Sequence, residues 1–216
     1  MHDTIRQSEV PKHHSWHGCV LSPVEEVLMF HDQTGPVPDA FRRLRELLEH
    51  EHIDYVVIGA LALAAHGFRR ATEDIDLCVR AEDLARFRRE FVGKVYQAIE
   101  GRSRRFLDPQ TQVTFDFLVA GQLAGRTEKN KVITFPDPSE SVEIEGLRTL
   151  PLEKLIALKL VTWRYKDWGD VVELIRRNNL GEEFAASLPE SVRSAYLQCH
   201  DQKKEEDKYD QERGEH

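Results

Sequence analysis

Three aspartates have the types and spacing that metal-dependent phosphate chemistry requires. Asp74 and Asp76 are two residues apart in the segment DIDLCV, and Asp116 interrupts the apolar segment VTFDFLV. Because side chains alternate along a strand, Asp74 and Asp76 point the same way and repel each other unless a cation lies between them. Asp116, a lone carboxylate in an apolar strand, needs a partner or a metal. Carboxylates on neighbouring strands would form an oxygen-rich site that suits Mg²⁺ or Mn²⁺ and phosphate groups.

A glycine turn precedes the aspartate pair. Residues 55–58, YVVI, form a continuous apolar run typical of a strand buried on both faces, and Gly59 ends this strand. Residues 60–66 are small and apolar, which predicts a helix that Gly67 ends in a left-handed conformation. A glycine at the start of a helix leaves backbone N–H groups facing a bound phosphate, so Gly59 and Ala60 are candidate phosphate-binding residues.

The elements around these residues alternate between helix and strand. This alternation predicts an α/β (α+β) fold with a mixed sheet flanked by helices. We expect a helix over 40–50 capped by Asp39, strands over 74–79, 102–107 and 112–119, a helix over 81–91, and further strands at 131–135 and 141–150. A helical part follows from Pro151 to about residue 197, because apolar residues recur there at helical spacing.

One lysine lies within an apolar stripe of this helical part. The stripe consists of Leu152, Leu155, Ile156, Leu160 and Trp163. Lys159 falls on the same helical face, and Asp167 and Asp170 fall there too if the helix continues. A lysine and two aspartates on a core-facing stripe need one another or a ligand. Two interpretations stay open: contact with a ligand, and a buried ion pair that joins the helical part to the sheet.

The order of these features resembles the nucleotidyltransferase superfamily that includes DNA polymerase β. Each feature alone is a weak indicator, but a strand, a glycine, a helix and an Asp-x-Asp strand fifteen residues after the glycine form a specific sequence of elements. Residues 57–77, VIGALALAAHGFRRATEDIDL, are similar to the GG…HG…R.T.DIDL pattern of the AbiEii toxin-type branch. Residues 158–170 are similar to its K…R.KD..D segment. The resemblance covers about residues 40 to 180.

The resemblance implies transfer of a nucleotide from an NTP, with a nucleotidyltransferase fold and a C-terminal helical subdomain. Asp74, Asp76 and Asp116 would hold Mg²⁺ or Mn²⁺, Asp116 would act as base on the acceptor hydroxyl, and Lys159 would be a fourth catalytic residue. The nucleotide-binding residues would be Gly59, Ala60, Arg69, Arg70, Thr72, Asp167 and Asp170. For the two arginines a solvated turn is an equally good interpretation, and His66 of the HG pair is explained as well by a bond to a carbonyl group.

One residue departs from the family pattern and keeps a second function class open. Ala60 stands where the superfamily usually has Gly or Ser, so a hydroxyl contact is lost while the backbone N–H is kept. This favours, as the alternative to an enzyme, a non-catalytic nucleotide-binding or interaction module of a toxin–antitoxin-like pair. RNA, a protein hydroxyl and a small molecule all stay open as acceptors, and an antitoxin-like protein is the expected partner.

Length and composition bound the remaining classes of protein. The 216 residues divide into an expected flexible arm (1–38), a nucleotidyltransferase core (39–150), a helical subdomain (151–199) and a disordered charged tail (200–216). The longest nearly apolar stretch has eleven residues, whereas a membrane-spanning helix needs about 20, so no membrane partner is expected. Three widely spaced cysteines exclude a disulfide scaffold and favour the cytoplasm. The net charge of −8 argues against uniform binding to a nucleic acid backbone, although residues 80–105 carry eight bases and four acids.

Overall fold

The computed structural model describes residues 35–125 and 133–214. The α-helices in these residues are α1 Pro36–His50, α2 Gly59–Ala65, α3 Ala81–Phe91, α4 Leu152–Val161, α5 Tyr165–Arg177 and α6 Glu190–Arg213. The strands are β1 Tyr55–Ile58, β2 Asp74–Val79, β3 Gln97–Ile99, β4 Arg102–Leu107, β5 Thr114–Val119, β6 Val142–Ile144 and β7 Leu147–Thr149. The α/β class expected from the sequence is therefore confirmed.

The strands form one mixed sheet in the order β3-β4-β5-β2-β1-β7-β6. Two neighbouring pairs are parallel, β2 with β5 and β1 with β7, and the other pairs are antiparallel. Strands β2 and β4 have the predicted bounds, and residues 141–150 form the β6–β7 hairpin. In the described part of 131–135, Thr134 makes only an isolated bridge with Leu123, so a regular strand predicted there is wrong for those residues.

Each face of the sheet is covered by an apolar layer. Helices α1 and α3 cover one face, where Phe41 and Phe87 belong to the same cluster as Ile75 and Phe115. Helices α4, α5 and α6 cover the other face and share a cluster with β1 and β2. The odd-numbered residues of β2 pack into the first of these layers. Because side chains alternate along a strand, Asp74 and Asp76 lie on the opposite face of the sheet, which helices α4 to α6 cover.

Helix α1 begins earlier than the sequence predicts. It starts at Pro36, with Gly35 as its N-cap, so the predicted start at residue 40 with Asp39 as cap is wrong. A proline in the first turn is tolerated because the N–H groups there have no partner within the helix. Asp39 lies in that first turn and forms an exposed ion pair with Arg42 at 3.0 Å. The rest of the expected arm, residues 1–34, lies outside the described residues.

Helix α6 corrects the prediction of a disordered tail from residue 200. The helix continues to Arg213, and Cys199, near its middle, is buried. Arg176 of α5 binds Glu206 at 2.8 Å and Asp207 at 3.2 Å, which ties the charged half of α6 to the body of the protein. The charges that suggested disorder thus serve as ion pairs between and along helices. In the part of the chain that the structure describes, no helix is both long enough and apolar enough to cross a lipid bilayer.

Candidate active site

Strands β2 and β5 bring the three predicted metal ligands together. The strands run parallel with Asp76 directly beside Asp116, and Asp74 lies two residues before Asp76 on the same strand. Residues side by side on neighbouring strands have Cβ atoms about 5 Å apart. Two carboxylates at that spacing with a third on the same face form the oxygen-rich cluster that the residue types predict. That this cluster binds a metal stays a prediction.

The cluster is electrostatically crowded. Burial, with further contributions from the neighbouring charges of Asp74 and Asp116, raises the pKa of Asp76 to about 6. Burial also raises the pKa of Asp116, although the nearby Arg105 opposes this shift. Both shifts mean that the ionised carboxylates are unfavourable without a compensating cation. The donor set therefore fits a divalent ion such as Mg²⁺ or Mn²⁺.

Asp116 is more open than its apolar surroundings in the sequence suggest. Its side chain is 30% exposed, because Thr114 and Asp116 lie on the face of β5 opposite to Phe115 and Phe117. It also has a partner, since the Arg105 guanidinium lies 3.4 Å away. Asp116 thus has the partner that the sequence analysis expected it to need, and β5 is an alternating strand with one half-open face.

Gly59 lies directly against the carboxylate cluster. Its φ of +67° is in the left-handed region that favours glycine, and an added Cβ would overlap Asp76 Oδ2 and lie 2.9 Å from Asp76 Cβ. Ile58, just before it, pairs in register with Asp76. The strand–glycine–helix turn thus has a structural cause within the protein: only a residue without a side chain leaves room for Asp76.

Ala60 lies inside the first turn of α2 and is 7% exposed. Its side chain is thus buried, and an alanine there keeps the backbone N–H while it offers no hydroxyl. Phosphate binding by Gly59 and Ala60 stays a prediction.

A cleft of about 560 Å³ opens beside the carboxylates. Leu118, Leu155 and Leu158 form part of its apolar wall, from β5 and α4. The charged residues that line it are Asp76, Asp116, Arg102, Arg104, Lys159, Arg164 and Asp167. A cleft with carboxylates at its base and several cations around them can accommodate a metal together with a polyanion.

Lys159 and two aspartates of the next helix form a buried ionic network. Lys159 Nζ donates to Asp170 Oδ2 at 2.7 Å and to Asp167 Oδ1 at 3.4 Å. Thr162 and Arg164 donate to the other oxygen of Asp167, and hydrogen bonds and nearby cations hold the pKa of that carboxyl below its usual range, despite its burial. The ion pairs of Lys159 lie within the helical part, and Arg70, from the segment before β2, joins that part to the core through its ion pair with Asp170.

These residues do not lie on one continuous helix. Helix α4 ends at Val161 and α5 begins at Tyr165, so the helix does not continue as the predicted stripe requires. Trp163, predicted on the α4 stripe, lies in the turn with a φ of 55° and is 56% exposed. Its ring centroid is 5.1 Å from that of Trp168, so these aromatics pack on each other.

The match to a family model decides among the classes that this geometry allows. The model for the nucleotidyl transferase AbiEii toxin of type IV toxin–antitoxin systems matches residues 42–214. The chain belongs to the AbiEii family. The resemblance inferred from the glycine turn and the Asp-x-Asp strand is therefore confirmed, and nucleotidyl transfer is the activity that the family's description names.

Solved structures and curated sequences provide weaker comparisons. A solution structure of the antibiotic-resistance factor ANT(2'')-Ia is similar with a TM-score of 0.45 and 16% identity, over 82% of this chain and 96% of that chain. A crystal structure of ANT(2'')-Ia in complex with adenylyl-2''-tobramycin gives a TM-score of 0.45 and 14% identity, over 81% and 98% of the respective chains. No curated protein matches the sequence.

Several residues of the AbiEii pattern lie outside the cleft lining in this chain. Arg70 forms a forked pair with Asp170, through Nε at 2.9 Å and Nη2 at 3.3 Å, and so belongs to the network around Lys159. Thr72 donates its hydroxyl to the backbone and side chain of Asp74, which orients that carboxylate. Arg69 is exposed in the same turn. Nucleotide binding by Arg69, Arg70, Thr72, Asp167 and Asp170 stays a prediction.

Histidine and glycine of the family's HG pair have structural explanations. His66 lies at the C-terminal end of α2, with Nε2 2.7 Å from the Leu150 carbonyl oxygen. Gly67 has a φ of +87°, as predicted for the residue that ends the helix. The interpretation of His66 as a carbonyl-bonding residue is therefore supported, with a carbonyl from the turn before α4 as the acceptor.

The site residues predicted from the sequence did not include the arginines that line the cleft. Strand β4, beside β5, carries Arg102 and Arg104, which line the cleft, and also Arg105, which lies opposite Asp116 in register. Arg164 lies in the turn between α4 and α5. The base-rich stretch 80–105 was the available signal, but it did not reveal which arginines face the aspartates.

Proposed function

We propose that this AbiEii family member is a Mg²⁺- or Mn²⁺-dependent nucleotidyltransferase that moves an NMP from an NTP to an acceptor hydroxyl. The observation that carries the proposal is the register of Asp76 beside Asp116, with Asp74 on the same face, at the base of a cleft rich in cations. Asp74, Asp76 and Asp116 would hold the metal. When bound, the metal would neutralise charge on the phosphates of the nucleotide.

The protein side chains divide the remaining work. Asp116 takes the proton of the acceptor hydroxyl, and its raised pKa makes it a better base than an ordinary aspartate. The acceptor oxygen forms a bond to the α-phosphorus while the bond from that phosphorus to the pyrophosphate oxygen breaks. Arg102, Arg104 and Lys159, which line the cleft, supply positive charge towards the triphosphate.

The family supports a toxin-like role with an antitoxin partner. RNA, a protein and a small molecule are all chemically suitable acceptors, because each offers a hydroxyl group. The nucleobase of the preferred NTP is likewise open, since the cleft combines apolar side chains with charged ones. A labelling experiment that varies both nucleotide and acceptor addresses the two questions together.

The test is to incubate the protein with each α-³²P-labelled NTP, with Mg²⁺ or Mn²⁺, and with total cell RNA or dialysed lysate. We expect one acceptor fraction to become labelled, and the label to be lost with EDTA and in Asp76→Asn. Metal-dependent NTP binding without labelling of any fraction would favour the non-catalytic binding module. Labelling that survives in Asp76→Asn would place the chemistry elsewhere.

A further inference from the structure

One guanidinium group lies between two of the proposed metal ligands. Arg105 Nη2 is 3.3 Å from Asp74 Oδ2, and Arg105 Nη1 is 3.4 Å from Asp116 Oδ2. The side chain is held in place by a third contact, in which Nη2 donates to Thr114 Oγ1 at 2.8 Å. One cation thus contacts a carboxylate on each of two strands, as a metal shared by those carboxylates would.

The other nearby cations are engaged differently. Lys159 is held by Asp170 and Asp167, and Arg164 is bound to Asp167. The ion pairs of Arg105, by contrast, are with Asp74 and Asp116. Within the described residues, Arg105 is therefore the cation whose carboxylate contacts coincide with the predicted metal ligands.

The contacts of Arg105 with these two carboxylates are partly open to solvent. Its side chain is 36% exposed, and the carboxylates of Asp74 and Asp116 are 37% and 30% exposed. Each partly exposed pair of this kind contributes only modestly to stability, so a divalent ion can displace the guanidinium at a moderate cost in affinity. A buried pair such as Lys159–Asp170 would not separate as readily.

We propose that Arg105 is a positioning residue that acts as a built-in counter-cation, holding Asp74 and Asp116 together in the metal-free protein and competing with the divalent ion for their oxygens. This inference rests on the metal site of the proposed function. It predicts that the nucleotide-free protein binds the metal more weakly than the same three carboxylates would without Arg105. A released guanidinium would remain beside the site, where phosphate groups are suitable partners.

The experiment titrates Mn²⁺ into the nucleotide-free full-length protein by calorimetry, with Mn²⁺ electron paramagnetic resonance as a second measurement. We expect Arg105→Gln to bind Mn²⁺ about tenfold more tightly than wild type, because two partly exposed ion pairs no longer oppose the metal. In EDTA the variant should melt at a lower temperature than wild type, and Mn²⁺ should raise its melting temperature by more.

The matched control is Arg104→Gln, which removes an equal charge from the adjacent residue. Arg104 Nη1 donates to Gln122 Oε1 at 2.6 Å, so this variant tests the general effect of charge near the cleft. An equal gain in Mn²⁺ affinity in both variants would overturn the inference. Should Arg105→Gln not fold, Arg105→Lys replaces it, with a smaller gain expected because one ammonium does not reproduce the two-sided contact.

The outcomes separate the inference from the proposed function. Equal Mn²⁺ affinity in wild type and Arg105→Gln would overturn the role of Arg105, while Mn²⁺ binding that is lost in Asp76→Asn would still support the metal site. No Mn²⁺ binding in wild type or in any Arg105 variant would count against the metal site itself, and the role of Arg105 would be rejected with it.

Discussion

Lys159 of α4 and Asp170 of α5 form a buried ion pair of 2.7 Å across the turn between their helices. The pair is part of a network in which Asp170 also binds Arg70 and Asp167 also binds Arg164. Each aspartate therefore has one cationic partner besides Lys159. We therefore expect substitution of Lys159 and substitution of Asp170 to lower the free energy of unfolding by different amounts.

We predict that Asp170→Asn destabilises the protein by about 3 kcal/mol, because the buried Lys159 ammonium keeps only its longer contact with Asp167 and Arg70 loses its carboxylate partner. Lys159→Met should cost less, about 1–3 kcal/mol, because Asp170 keeps Arg70 and Asp167 keeps Arg164. Chemical unfolding of the single and double variants measures both values and their coupling.

Labelling by folded protein then separates structure from catalysis at Lys159. If Lys159 contributes its charge to the cleft, Lys159→Met should lose most of the transfer rate despite its modest loss of stability. Full labelling by the folded fraction of Lys159→Met would assign the lysine a purely structural role.

Local patterns predicted the elements of the site well. Alternation along β2 placed Asp74 and Asp76 on one face, and a β-branched run followed by glycine predicted β1 and the turn at Gly59. These features depend on residues close in sequence, where the periods of strand and helix apply directly. Both strand bounds and the left-handed conformation predicted for Gly67 agree with the structure.

Partners across the fold could not be predicted in the same way. The partner of Asp116 is Arg105, which depends on the register between β4 and β5, and a shift of one residue would turn the arginine to the other face. Likewise, Lys159 meets Asp170 because the chain turns around Trp163, whereas residue spacing placed the two on one face only if the helix continued. Register and turn geometry are set by tertiary packing, which residue spacing alone does not reveal.

Because Asp116 is partly exposed, we expect the free energy of unfolding to depend little on its charge. We expect Asp116→Asn to change the free energy of unfolding by no more than about 1 kcal/mol, because the lost Arg105 pair is partly exposed and burial no longer opposes an ionised group. Metal-dependent labelling should be lost. Melting in EDTA and the labelling rate measure the two effects.

Asp108 provides a matched control for the same chemical change. Its side chain is 1% exposed, and it lies 3.5 Å from Arg43 and accepts from the backbone N–H of Gln110. Asp108→Asn should cost about 3 kcal/mol or more while the folded fraction keeps its labelling rate. A larger loss of stability in Asp116→Asn than in Asp108→Asn would contradict the assignment of Asp116 to a functional site.

We predict that the free energy of unfolding depends on pH through His66, a residue outside the cleft lining. Burial lowers the pKa of His66 below its ordinary value of 6.5, although the bond to the Leu150 carbonyl opposes this shift. Because the folded protein favours the neutral ring, His66 contributes its full stability above the unfolded pKa, and this contribution is lost as pH falls from there through the lowered folded pKa. Unfolding by urea at about pH 7 and about pH 5 should show a smaller decrease in His66→Gln than in wild type. An equal decrease in both proteins would assign the pH dependence to other groups.

The contact between Gly59 and Asp76 gives the last prediction, and Gly67 provides its control. Both glycines have positive φ, +67° and +87°, but an added Cβ at Gly67 meets only Arg177 Cβ at an ordinary 3.8 Å, whereas at Gly59 it overlaps the Asp76 carboxylate. Gly67→Ala should therefore lose about 1–2 kcal/mol from the left-handed backbone alone and keep its Mn²⁺ affinity. Gly59→Ala should lose more stability and bind Mn²⁺ at least about tenfold more weakly, because Asp76 must move from its place beside Asp116. Calorimetric titration with Mn²⁺ and chemical unfolding of both variants provide the comparison. Wild-type Mn²⁺ affinity in Gly59→Ala would show that the position of Asp76 against Gly59 does not matter for metal binding.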